Sequence, residues 1–430
     1  MKYNPIDAQL FIQNRKRLIE KLKPNSAVII HSNDIMPINA DGTMAFRQNA
    51  NLLWSTGIEQ EETILLLAPD FPDEKLREQL FVRKTNEQIA VWEGHKYTKA
   101  EATHASGIQN VKWSEEFEHS LQTVLAETST IYLETNEHIR NGNEVETRND
   151  RFIKQCMRTY PLHTYERLAP IIYDLRSKKS ALEIEQLQTA CDITNKGFRR
   201  ILGMVSPGRW EFEVEAEYLY EFQMNRSRRF AYEPIIAGGG NSCVLHYLDN
   251  DKELQAGDLL LMDVGAEYAN YNADMTRTIP VSGRFSDRQR AVYDAVLRVK
   301  NGATKMLVPG NDIPSYHKAV GELMESELLA LGLIDQTAIK NQNPDWPAYK
   351  KYFMHGTSHH LGLDVHDVAS VYTKFQEGMV FTVEPGIYIP DENIGIRLED
   401  NIVITKEGQL NLMKNIPIEA EEIEELMNAK

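Results

Sequence analysis

The chain has 430 residues, 47 of them basic and 63 acidic, giving a formal charge of −16, and it is 42 % hydrophobic and 26 % charged. That composition is globular and excludes wholesale disorder. The acidic excess argues against a general binder of phosphate backbones, and no stretch approaches the roughly 18 unbroken apolar residues of a membrane helix.

The N-terminal segment MKYNPIDAQLFIQNRKRLIEKL has no apolar core and no small-residue cleavage site, so no secretory signal is expected and the expected location is cytoplasmic. Three cysteines (Cys156, Cys191 and Cys243) are too few and too scattered for a disulfide framework or a thiolate zinc site. Residues 7–22 carry Phe11, Leu18 and Leu22 at helical spacing. The runs 27–30, 63–68 and 131–134 read as short buried strands, with 117–126 helical between them. This alternation predicts helices packed on a central sheet. The AGGGN run at 237–241 lacks the lysine and the spacing of a phosphate-binding loop.

At about 150 residues per domain the length implies two or three domains. We place a boundary at 172/173, with an α/β domain over 1–172 and a second domain over 173–430. Ser180 and Glu183 form a capping-box pattern that opens a helix with Leu182, Leu187, Ala190 and Cys191 on one face. Ser286 and Gln289 open another, carrying Val292, Val296 and Val299. The acidic tail 416–430 reads as a solvated helix.

The second half contains a weak internal repeat. GDLLLMDVGAEY (257–268) can be laid on GMVFTVEPGIYI (378–389), which matches Asp263 with Glu384 and Gly265 with Gly386. Such self-similarity suggests two related halves that each bring an acid to a shared face.

Within 259–279, a two-residue turn at Ala269-Asn270 would pair Tyr268 with Tyr271, Gly265 with Asp274 and Asp263 with Thr276. Asp263 and Asp274 then share one face as diagonal neighbours, because strand side chains alternate. Asp263 ends an apolar run, where an unpaired carboxylate would be costly. The segment MHGTSHHLGLDVHD (354–367) gathers His355, His359, His360 and His366 beside Asp364 and Asp367. Its glycines speak against a zinc-binding helix, and histidine is both a metal ligand and a proton carrier near neutral pH. In 381–405 Glu384 ends another apolar run, and a period of two puts Arg397 and Glu399 on one strand face, where a plain ion pair is one reading.

The candidates Asp263, Asp274, His359, Glu384 and Glu399 form an oxygen-rich donor set suited to divalent cations such as Mn²⁺. Four carboxylates match the charge of two M²⁺ ions, and such a pair can activate water and stabilise an oxyanion, so metal-assisted hydrolysis is the expected chemistry.

With RQNANLLWSTGIEQEETILLLAP (47–69), LHYLDND, DVGAEYANYNADMTRTIPVSG, HGTSHHLGLDVHD, VEPGIYI and GIRLED in this order, the chain resembles the Xaa-Pro aminopeptidases of the pita-bread metallopeptidase family over essentially its whole length. The resemblance implies an α/β N-terminal domain and an α+β pita-bread catalytic domain with pseudo-twofold symmetry. It implies two divalent ions, Mn²⁺ first, with Asp274 and Glu399 bridging them, Asp263 completing one shell, and His359 and Glu384 the other. By resemblance Glu384 is also the proton shuttle, a bridging hydroxide attacks the Xaa-Pro bond, and His246, His355 and His366 contact substrate or stabilise the transition state. Arg397 resembles a site-orienting arginine. Trp92 resembles an aromatic that in some members reaches a neighbouring subunit. The expected partners are peptides with an N-terminal Xaa-Pro and further copies of the chain, as a dimer or tetramer; no nucleic acid and no membrane are expected. Prolidase, methionine aminopeptidase and a metal-free pita-bread binding protein are the alternatives.

Overall fold

The computed structural model describes residues 3–142 and 144–429. They form two compact units, one of residues 5–176 and one running from Ser177 onward together with Tyr3 and Asn4.

In the first unit the apolar runs become the strands Ser26–His31, Ile64–Leu67 and Thr130–Leu133, buried throughout. Strands buried on both faces read as continuous apolar runs rather than alternating ones. They lie inside a six-stranded mixed sheet whose order is Asn110–Trp113, Glu78–Val82, Ile64–Leu67, Ser26–His31, Thr130–Leu133, Thr164–Arg167. The strands Glu78–Val82, Asn110–Trp113 and Thr164–Arg167 escaped the sequence reading because Gln79, Lys112 and Glu166 interrupt their apolar pattern. The helices Ala8–Ile19 and Phe117–Leu125 form where helical spacing predicts them. His31 sits in this core at 3 % exposure, edge-on to Phe117 and Phe152, and neither ring nitrogen has a hydrogen-bond partner.

In the second unit both anticipated capping boxes are formed, at Ser180 and Ser286, and they open the helices Ala181–Leu202 and Asp287–Met306. The tail is helical over Ala420–Asn428, with Ile423 buried, Glu421, Glu422 and Glu425 exposed, and Glu424 half-buried. The two repeat segments become matching antiparallel pairs. Leu259–Val264 pairs with Met275–Pro280, and Val380–Val383 pairs with Asp400–Thr405. Between the two strands of each pair lies a smaller hairpin: Glu267–Tyr268 with Tyr271–Asn272, and Gly386–Ile389 with Ile394–Arg397. The first hairpin has the register that counting predicts. Tyr268 faces Tyr271, Asp263 faces Thr276, and Ala269 and Asn270 take φ of +52° and +67°. Positive φ at both central residues is what a tight hairpin turn with the right twist requires. A Cβ on Gly265 would lie 1.8 Å from the Ala273 carbonyl oxygen, so only glycine fits there.

Candidate metal centre

Asp263 is the fifth residue of the strand Leu259–Val264, and Asp274 immediately precedes the partner strand Met275–Pro280. They meet at Tyr232, whose hydroxyl lies 2.6 Å from a carboxylate oxygen of each. One proton cannot serve both acceptors at once, so the hydroxyl draws the two acids together without neutralising either.

The second pair of strands brings the other donors. Glu399 lies between the strands Ile394–Arg397 and Asp400–Thr405 and is 1 % exposed. Its Oε2 accepts from Thr276 Oγ1 at 2.7 Å, while its Oε1 is buried with no partner. His359 lies in the irregular segment 354–362. Its Nε2 is 3.4 Å from Asp274 Oδ2 and 3.5 Å from Glu384 Oε1. Its Nδ1 faces the His360 carbonyl at 2.9 Å. A carbonyl only accepts, so Nδ1 carries the proton and Nε2 is presented to the acids. Asp274, His359 and Glu399 each offer a ligand atom within 4.8 Å of the others. Asp263 joins this group through Tyr232, and Glu384 through His359.

The charges do not balance from within. Burial, then the charges of Asp274, Glu384 and Asp263, push Glu399 well above the usual carboxylate range. Burial likewise raises Asp274 and pushes Glu384 up to about 7. Burial opposes the charging of His359, but the Asp274 hydrogen bond and the Glu384 charge outweigh it and raise His359 to about 9. Buried like charges behave in this way when the opposing charge is too little to balance them. An orphaned buried oxygen and four converging carboxylates beside one imidazole fit divalent cations held by hard oxygen and imidazole donors.

Arg397 departs from the expected ion pair. Its guanidinium pairs with Asp263 at 2.7 Å, not with Glu399, and also donates to Thr276 Oγ1 and to Tyr388 OH. The hairpin Gly386–Ile389/Ile394–Arg397 places it there. Tyr388 in turn meets His355 Nε2 at 2.8 Å, and His355 Nδ1 faces the Gly356 carbonyl. Burial and then the Arg397 charge depress His355 to about 3, so its ring is neutral. His366 lies edge-on to His359 with centroids 4.5 Å apart and is exposed, as is His246.

Sequence reasoning missed Tyr232, Tyr388, Thr276 and Asn401. The Asn401 side chain donates to the Asp274 carbonyl and accepts from its N–H, which fixes the backbone that carries that acid. None of the four belongs to a pattern of titratable residues, so only the tertiary structure reveals them.

The family model for Metallopeptidase family M24 matches residues 185–406, and that for the Aminopeptidase P N-terminal domain matches residues 11–132. The chain is 35 % identical to the Xaa-Pro aminopeptidase of Haemophilus influenzae, over 97 % of both chains. It is 34 % identical to that of Escherichia coli, over 99 % of this chain and 98 % of the relative. It superposes on zinc-substituted Escherichia coli aminopeptidase P in complex with product with a TM-score of 0.88, at 32 % identity and 99 % coverage of both chains. Among the described residues no helix is long and apolar enough to cross a membrane.

Proposed function

The chain belongs to metallopeptidase family M24, and from that premise we propose that it is a metallo-aminopeptidase that releases the N-terminal residue from peptides with proline in second position. Its architecture is an α/β N-terminal domain followed by a pita-bread catalytic domain; we take the latter to span 173–430. The observation that carries the reading is the buried meeting of Asp274, His359 and Glu399, with one Glu399 oxygen left without a partner. The full-length likeness to Xaa-Pro aminopeptidases supports the choice of substrate.

Asp263, Asp274, His359, Glu384 and Glu399 would hold two divalent ions, for which we propose Mn²⁺. When bound, such ions activate water at neutral pH and offset the charge that develops on the scissile carbonyl. Glu384 would take up a proton and deliver it to the prolyl nitrogen, which must be protonated to leave. Arg397 holds Asp263 in place, and His355 steadies Arg397 through Tyr388. We assign His246 and His366, both exposed, to contacts with the substrate. An Xaa-Pro bond offers no amide N–H, so a site that does not rely on that donor accepts proline where most peptidases lose a contact.

We also propose a cytoplasmic location and a dimer or tetramer. In the oligomer, Trp92, 83 % exposed on the helix Glu87–Glu93, would meet another copy.

The test loads metal-free protein with Mn²⁺ and offers Xaa-Pro, Xaa-Pro-Yaa and Xaa-Ala-Yaa. Metal-dependent release of Xaa from Xaa-Pro-Yaa, with Xaa-Ala-Yaa intact, is the expected result. Cleavage confined to the dipeptide would make the protein a prolidase. Failure to take up metal or hydrolyse any of the three would leave a binding protein.

A further inference from the structure

The segment 354–360 has no helix or strand of its own, yet it carries His355 and His359. Their positions therefore depend on what grips the segment from either side. On one side is the strand Val380–Val383 and the residue after it. Thr382 N–H donates to the His359 carbonyl at 3.0 Å, His359 N–H donates to Thr382 Oγ1 at 3.1 Å, and Glu384 N–H donates to the Thr357 carbonyl at 2.8 Å.

On the other side is the helix Ile313–Ala330. Ser358 N–H donates to His317 Nε2 at 3.3 Å, and Ser358 Oγ donates to Tyr316 OH at 3.0 Å. Ser358 is 6 % exposed, so its amide is poorly placed to turn to solvent if His317 is lost. The imidazole also bears on Gly356: a Cβ there would meet His317 Cε1 at 3.0 Å. The absence of a side chain at 356 and the presence of a flat ring at 317 are thus two halves of one contact.

We infer that His317 is a positioning residue of the metal centre, holding Gly356 and Ser358 so that His355 and His359 face the carboxylates. The inference rests on the metallopeptidase reading above. His317 lies outside the donor set and acts only through the segment it grips.

The experiment measures Mn²⁺ binding by titration calorimetry, and kcat and KM on an Xaa-Pro-Yaa tripeptide, for the full-length wild type, His317→Leu and His317→Gln. Glutamine keeps an acceptor near the position of Nε2, and leucine has none. His317→Leu is expected to weaken Mn²⁺ binding and lower kcat, each roughly tenfold, the lower end of what outer-shell losses cost a metal site. KM should change less than about twofold, because the substrate contacts themselves stay in place. His317→Gln should restore most of both. Wild-type Mn²⁺ affinity and kcat in His317→Leu would overturn the inference, and so would a glutamine variant as impaired as the leucine one. Gly356→Ala supplies an independent line should the leucine variant not fold. Its methyl group presses on the ring, so its loss of Mn²⁺ affinity should shrink when His317→Ala is added, and an undiminished loss counts against the inference. A wild-type chain that neither binds Mn²⁺ nor cleaves the tripeptide brings down the metallopeptidase reading instead.

Discussion

Glu399 and Asp400 are chain neighbours, each 1 % exposed, and the protein treats their charges in opposite ways. Asp400 pairs with Arg277 at 2.6 Å and with Lys300, and it also accepts from Asn411 at 2.8 Å. Burial works against its charge, but the two cations prevail and hold it well below the usual carboxylate range. Glu399 receives one hydroxyl and no cation at hydrogen-bonding distance, and it is pushed the other way. Asp400 opens the strand Asp400–Thr405 and Glu399 lies just before it, so one step along the chain crosses from a structural ion cluster to the metal centre. The contrast separates two uses of a buried acid. One is satisfied by the fold, and the other is left for a charge supplied from outside.

The sharpest way to break this contrast is Glu399→Gln. Removing a ligand should lower kcat/KM by more than about a thousandfold, since each factor of ten is only 1.4 kcal/mol of transition-state stabilisation. The metal-free protein should become no less stable, because a repelling acid has gone. Steady-state kinetics and urea unfolding of the metal-free form read the two halves. A variant with wild-type turnover and metal content would refute the ligand assignment.

Next in size is Asp400→Asn. It strands Arg277 and Lys300 in the interior, and breaking a buried pair in this way costs about 3 kcal/mol or more. Urea unfolding should show the loss whether or not metal is present, whereas the Glu399 variant should differ from wild type mainly when metal is present.

His31 adds a third case, a buried titratable group with no partner and no incoming ion. Burial, with Arg148 nearby, depresses its pKa to about 3. The unfolded chain takes up the proton near pH 6.5 and the folded chain only near 3, so stability is full above 6.5 and falls on acidification through that window. At pH 5 the loss from this residue is about 2 kcal/mol. His31→Phe should remove that part of the slope, as measured by unfolding at pH 7 and pH 5. An unchanged slope would mean the ring is not buried neutral.

The smallest expected effect is that of Tyr232→Phe, which removes the hydroxyl shared by Asp263 and Asp274. Mn²⁺ affinity should fall roughly tenfold, as for other groups that orient ligands, with thermal stability little changed. Calorimetry on the variant checks it.

Much of the metal centre was legible in the sequence because its acids end apolar runs. A carboxylate closing LLLM or FTV cannot be solvated along with the rest of its strand, so its position alone raises the question of what balances it. The hairpin register was legible too, since a two-residue turn leaves one way to count. The partner of Arg397 was not. Its nearest acid in sequence is Glu399, but the second hairpin delivers the guanidinium to Asp263, 134 residues away in the chain. Tyr232, Asn401 and His317 were illegible for a related reason. A hydroxyl, an amide or a single imidazole carries no periodicity, and its importance comes from what distant segments bring against it. In the first unit the three strands with an unbroken apolar run could be read, and the polar-interrupted ones could not.

Asp263 and Asp274 lie on one ribbon closed by the Ala269-Asn270 turn, so the gap between them is set by ladder register and not by how remote segments dock. Point changes elsewhere can weaken the scaffold without resizing that gap. Adding or deleting a single amino acid between Gly265 and Ala273 would swing one of the two acids to the reverse side of the ribbon. Along this stretch a substitution is tolerated more readily than a change of length.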